Sequence, residues 1–270
     1  MKFLKKASLA VSIAAVSFAA NAELVAMDEA SMAAATGQAG IDLDVTLTGA
    51  NAITIGEVVY TDTDSDGSLA LMNIAIGTDA GSITLNHTID IDSSGNLQIA
   101  QSAYTSDLKI SVGQIETRDN TGAAAANLIK GTYDATTGAL VEAGLTLTMD
   151  VAPSQTTIGA NADGDTQIAM QGAFKVTGGN ANLLNGAIGV GSITFTGDYT
   201  ATDVNGVVLG ENLVQTDIVM TANTSGLAVT VNSLQGTLNL GDVSMGGAIV
   251  GDIAVKDIAL AGASILISGH

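Results

Sequence analysis

The sequence predicts an all-β domain, a long curved antiparallel sheet or sandwich preceded by one short N-terminal helix. Three observations carry that prediction. From Ile41 onward, aliphatic residues alternate with Thr, Ser, Asn and Asp, as in Asp42-Leu43-Asp44-Val45-Thr46-Leu47-Thr48. A period of two means strands with one wet face and one dry face. Glycine-containing dipeptides punctuate these runs at short intervals, as tight hairpin turns require. Finally, 47% of the residues are hydrophobic and only 3% aromatic, so the sheet is built mainly of aliphatic side chains.

Residues 1–22 come first. Lys2, Lys5 and Lys6 precede an uncharged run from Ala7 to Ala20, and Ala20-Asn21-Ala22 offers small residues for cleavage. These are the three parts of a secretory signal peptide, too short and wrongly flanked for a membrane span. The expected mature chain begins near Glu23 and resides in the periplasm, on the outer-membrane surface or outside the cell.

Residues 23–40 form a leader with helical spacing. Leu24, Met27, Met32 and Ala35 repeat at helical intervals, Asp28 and Glu29 place charge in the first turn, and Gly37 stands where a C-cap belongs. A helix is expected over 26–36, as a packing element or a docking element.

Residues 41–270 read as a single β-rich domain. Alternation recurs at Ser82–Leu85, Leu145–Met149, Ser192–Phe195, Leu227–Val231 and Thr237–Leu240. Turns are expected at Asp66-Gly67, Ser94-Gly95, Thr137-Gly138, Gly178-Gly179, Asn205-Gly206 and Ser225-Gly226. A short element also recurs: an aliphatic residue, Gly, any residue, then Val or Ile. It occurs at Ile55–Val58, Val112–Ile115, Val190–Ile193, Leu240–Val243 and Val250–Ile253. Glycine at a fixed place in a strand points to a bulge, a bend or close approach of another backbone. Unequal spacing argues against a strict solenoid, though a solenoid-like roll is the alternative architecture. Residues 119–143 are the weakest stretch, fitting a loop, a helical insertion or poorly patterned strands.

Charge narrows the partners. The formal charge is −19, and beyond the signal only Lys109, Arg118, Lys130, Lys175 and Lys256 oppose 27 acids. No basic patch exists to displace phosphate counterions, so nucleic-acid binding is excluded. No later stretch approaches 18 apolar residues, and the few aromatics argue against a barrel with aromatic girdles; the chain is not expected to be integral to a membrane. The absence of cysteine removes thiol chemistry and disulfides.

The leader Leu24 to Ile41, with Met27-Asp28-Glu29 and Thr36-Gly37-Gln38-Ala39-Gly40-Ile41 running into Asp42-Leu43-Asp44, resembles FilA-like pilus proteins of gammaproteobacteria. The tail from Val250 through Ser268-Gly269-His270 is similar in style. Met32 and Ala35 depart mildly from the Leu and Val expected there. The resemblance implies a surface or filament-associated role without a mechanism.

One cluster suggests a ligand. Asp62, Asp64 and Asp66, followed by Gly67, reproduce the first half of a calcium loop with oxygens at positions 1, 3 and 5. Position 12 is Asn73 and position 9 is Ala70, so the second half is missing; the competing reading is a polar hairpin turn. Asp90-Ile91-Asp92 and Asn161, Asp163 and Asp165 are weaker echoes. His87 and His270 lack a second His at ligand spacing. No Gly-x-Ser-x-Gly elbow and no phosphate-binding loop occurs, so the expectation is a non-enzyme with no cofactor, calcium being the candidate ion. Three functions fit: a structural or surface-assembly protein that binds protein partners or itself, a calcium-stabilised adhesin, and a periplasmic carrier of a lipid-like ligand.

Overall fold

The computed structural model describes residues 40–61 and 67–268, which apart from Gly40 fall within the unit Ile41–His270. The expected helix at 26–36 and the residues Asp62, Asp64, Asp66 and His270 lie outside the described residues.

The domain is all-β, and its strands assemble into eight long runs. Run 1 is β1 (Ile41–Thr48) and β2 (Ile53–Thr61); run 2 is β3 (Ser68–Thr78) and β4 (Ser82–Ile91); run 3 is β5 (Leu97–Gln101) and β6 (Thr105–Arg118). Run 4 is β7 (Ala124–Lys130), then β10 (Leu145–Val151) and β11 (Ser154–Ala160), interrupted by a small hairpin of β8 (Thr132–Tyr133) and β9 (Leu140–Glu142). Run 5 is the unbroken β12 (Thr166–Leu183). Run 6 is β13 (Ile188–Val190), β14 (Ser192–Thr196) and β16 (Val208–Asn223), with β15 (Tyr199–Thr202) leaving it midway. Run 7 is β17 (Gly226–Met245), and run 8 is β18 (Ala248–Ala259) and β19 (Ala263–Ile267).

Each successive pair of runs is antiparallel, so runs 2 to 7 have a neighbour on both sides and runs 1 and 8 on one. The result is one up-and-down meander, which sets aside the solenoid-like roll, since a roll would stack its strands in repeating rungs. Ordinary strands have five or six residues, whereas β12 has 18 and β17 has 20. Residues 119–143 prove to be poorly patterned strands and the β8–β9 hairpin.

The hairpins explain many of the acids. Asp92, Asp119, Asn161 and Asp203 each accept backbone N–H bonds from residues two and four positions later. A glycine three residues on closes the turn; Gly95 and Gly122 have φ of 83° and 80°, which only glycine adopts without strain. Gly178-Gly179, expected as a turn, lies inside β12 instead. A Cβ on Gly179 would stand 2.4 Å from the Thr146 carbonyl oxygen, so glycine there serves close approach and not chain reversal.

The alternating pattern gives the sheet two unlike faces. On one, aliphatic side chains line up across the runs, as in Ile91, Leu97, Ile158, Ile168, Met220, Val229 and Ile265, each opposite the next. On the other, polar side chains bond across strands: Asn86 to Asp44 at 2.7 Å, Thr88 to Asp42 at 3.1 Å, and Gln171 to Asp217 at 3.2 Å.

Two transverse lines cross the sheet. The first is a crease through Gly49, Thr78, Ala103, Ala152, Phe174, Gly197 and Ala259. Asp107, Asn212 and Asp257 have positive φ along it, a conformation that Asn and Asp tolerate better than other side chains. Leu47, Thr78, Thr105, Val176 and Val214 are buried there. On the polar face, the segment containing β15 folds back over the crease. It forms a small core of Ala152, Ala173, Ala201 and Leu213, with Tyr104 and Leu209 packed against it.

Candidate functional site: the open edges and the uncovered face

The second transverse line is made by the recurring glycine element. Gly56 lies between residues paired with Ile74 and Met72, so it faces Asn73, and Asn73 in turn faces Gly113. Gly113 accepts a hydrogen bond from Gly144, at the base of the β8–β9 hairpin. Beyond run 5 the line continues with Gly191, Gly241-Asp242 and Gly251-Asp252. The copies in runs 1 and 3 are therefore level with each other and those in runs 6, 7 and 8 with one another, the two groups being offset by about two residues across run 5, where Gly144 meets Asn182 and Asn182 faces Gly189. The glycines admit close neighbours: a Cβ on Gly113 would be 2.8 Å from that of Asn73, and one on Gly191 would be 2.8 Å from that of Asp242. The spacing in sequence is unequal because the connecting turns and excursions differ in length.

Along this line on the polar face lies an open trough of about 600 Å³. Thr146, Asn180, Asn182, Asp242 and Ser244 line it, together with the Lys109–Asp79 ion pair at 2.8 Å. It is a hydroxyl- and amide-lined surface with glycine at its floor.

The sequence-predicted ligand residues fare differently. Asp62, Asp64 and Asp66 are not among the described residues. Asp92 spends its carboxylate on the turn: it accepts from the Ser94 and Asn96 amides and from the side chains of Asn96 and Gln98. Hydrogen bonds from Asn96 lead the causes that lower its pKa from 3.8 to about 2. Asn161 likewise caps its own turn through Asp163 and Asp165. These acids hold hairpins, a role that the spacing Asp/Asn-x-x-Gly could have signalled. No group of three or more metal-ligating side chains occurs among the described residues. His87 lies on the aliphatic face opposite Leu43 and Gln101, its Nδ1 buried without a partner.

What the fold does present is edge and face. Among the described residues, no strand pairs with the outer side of run 1 or of run 8. Exposed large hydrophobic residues concentrate on these two runs: Ile41, Leu43, Ile53, Ile55, Val58, Val59 and Tyr60 on the first, and Ile249, Val250, Ile253, Val255, Leu260, Ile265, Leu266 and Ile267 around the last. Exposed strand edges are normally blunted by charge, proline or a covering element. The interior of the aliphatic face is only half-buried, and no isoleucine is among the buried core residues. A second sheet packed on that face would bury them.

A family of unknown function, DUF6160, matches the chain over residues 1–95. No curated protein and no solved structure matches it. The family match spans the leader and runs 1 and 2. No helix among the described residues is long and apolar enough to cross a membrane.

Proposed function

We propose that this chain is an exported structural protein that acts by strand-edge contacts with other protein chains, as a component of a surface or filament assembly. The observation that carries this reading is the pair of full-length open edges, runs 1 and 8, each studded with exposed aliphatic residues. An unpaired edge offers a row of backbone donors and acceptors, so a partner strand gains main-chain hydrogen bonds along its whole length. Aliphatic side chains beside the edge add apolar burial to that pairing. The signal-like N-terminus and the leader's resemblance to pilus proteins support the same placement. The test is negative-stain electron microscopy with sedimentation of the mature chain from Glu23. Assemblies that grow with concentration support the reading, and dispersed monomers at high concentration, with and without calcium, contradict it.

A second reading, a carrier of a lipid-like ligand, is favoured by the half-buried aliphatic face, which has no covering layer among the described residues. Solvent extraction of the purified protein and mass spectrometry test it; an empty extract argues against it.

A further inference from the structure

We infer that the partner strand at each open edge is a second copy of this chain, with run 8 of one molecule pairing antiparallel to run 1 of the next. This rests on the assembly reading above and names its contact.

The meander has an even number of runs, so run 1 and run 8 point in opposite directions. A neighbour placed in the same orientation then presents its run 1 antiparallel to run 8, and the alternation continues without a break. An odd number would have set two parallel edges side by side. A head-to-tail contact of this kind does not close on two copies, so it builds an open chain of molecules.

One register satisfies both halves of the contact. On run 1 the crease falls at Gly49, and on run 8 at Ala259, which faces Gln235 of run 7. Setting Ala259 opposite Gly49 aligns the two creases. The same register brings Ile53 opposite Val255 and Ile55 opposite Ile253 on one side of the crease. On the other side it brings Leu43 opposite Ile265 and Ile41 opposite Ile267. All eight of these side chains are exposed in the single molecule, and all belong to the aliphatic face, by their pairing with Ile76, Ile74, Leu238, Leu240, His87, Ile89, Val229 and Leu227.

Charge agrees with this register. It sets Asp42 opposite Leu266, Asp44 opposite Ser264, Glu57 opposite Gly251, Asp252 opposite Gly56 and Asp257 opposite Asn51. No acid faces an acid, although these runs carry five acids and one lysine between them. Like charges directly opposite one another would oppose pairing. A shift of two residues in one direction places Glu57 against Ile253, and in the other it costs two of the four aliphatic pairs.

The chain has no cysteine, which makes disulfide trapping clean. Thr54 and Ala254 face each other in this register, and both are exposed. The mature double variant T54C/A254C, oxidised at high concentration, is expected to give a ladder of covalent oligomers. T54C mixed with A254C should give dimers, and neither alone should crosslink. T54C/A248C, six residues out of register, should give no ladder. A disulfide confined within one chain would mean a closed sheet, and self-crosslinking of a single variant would mean a two-fold contact; either overturns the inference. Assemblies seen by microscopy without the T54C/A254C ladder would defeat this contact and leave the assembly reading standing. Monomers throughout would defeat both.

Discussion

Arg118 in run 3 donates from its guanidinium to the Glu57 carboxylate in run 1 at 2.6 Å, reaching past Met72 of the run between them. The same guanidinium donates to Glu116 at 2.7 Å, so one cation ties the edge run to the third run and compensates a buried carboxylate. Glu116 is 5% exposed, whereas the Glu57 side chain is 40% exposed. The hydrogen bonds it donates to both carboxylates raise the Arg118 pKa, that to Glu116 contributing most.

Arg118→Ala should therefore lower Tm clearly, because it strands the Glu116 charge away from water. Glu57→Gln should cost much less, since solvent already screens that pair. Thermal unfolding followed by circular dichroism checks the order; equal losses would show that the exposed pair carries the cluster.

The glycine line gives a contrast between two members of one motif. At Gly113 a methyl group would meet Asn73 Cβ at 2.8 Å and the Met72 carbonyl oxygen at 3.1 Å, whereas at Gly56 nothing lies within 4 Å. Gly113→Ala is expected to destabilise by about 1–3 kcal/mol through overpacking. Gly56→Ala should be neutral or slightly stabilising, because it restricts the unfolded chain. Denaturant titration of the two variants measures the difference, and equal costs would contradict the close approach.

How much of this was legible in the sequence depends on the range of the signal. Alternation is local, so the runs at Asp42–Thr48, Leu145–Met149 and Leu227–Val231 read directly as strands, as the structure has them. The glycine element was visible as a repeat, but its alignment depends on strand registers set by turns and excursions of unequal length. Residues 131–144 illustrate the difficulty: they leave run 4 as a hairpin and return at Leu145 without disturbing the pairing with run 3. Gly178-Gly179 imitated a turn because close approach and chain reversal both select glycine. Asp92, Asn161, Asp163 and Asp165 read as echoes of a calcium loop because capping needs a backbone geometry that composition does not reveal.

Acid sensitivity follows from those caps. The Asp92 carboxylate has its folded pKa lowered from 3.8 to about 2 by hydrogen bonds that require the charge. A lowered folded value means that its contribution is fully present above the ordinary value and is lost as pH falls toward 2. Asp119, Asp134 and Asp203 are shifted the same way by amide and hydroxyl donors. Stability measured from pH 5 to pH 2 should fall, and Asp92→Asn should flatten part of that fall. An unchanged slope in the variant would remove Asp92 from the account.

Tyr104 donates its hydroxyl to Asp150 at 2.9 Å, and Lys175 approaches the same carboxylate at 3.3 Å. Burial, then the Asp150 hydrogen bond and charge, raise the phenol above its ordinary pKa of 10.0. The stabilising contact is therefore complete below that value and persists until pH exceeds the raised one. Ultraviolet titration should show one tyrosine ionising late, absent in Tyr104→Phe, with a stability cost of about 1 kcal/mol for the lost hydrogen bond.

The most direct measurement is hydrogen exchange of the mature chain at low and high concentration. Backbone amides of β12 should be protected at both, while outward-facing amides of Ile41–Thr61 and Ala248–Ile267 exchange rapidly when dilute and become protected when concentrated. Edge amides as slow as those of β12 in the dilute monomer would mean that the sheet closes on itself, and would contradict the open meander on which the assembly reading depends.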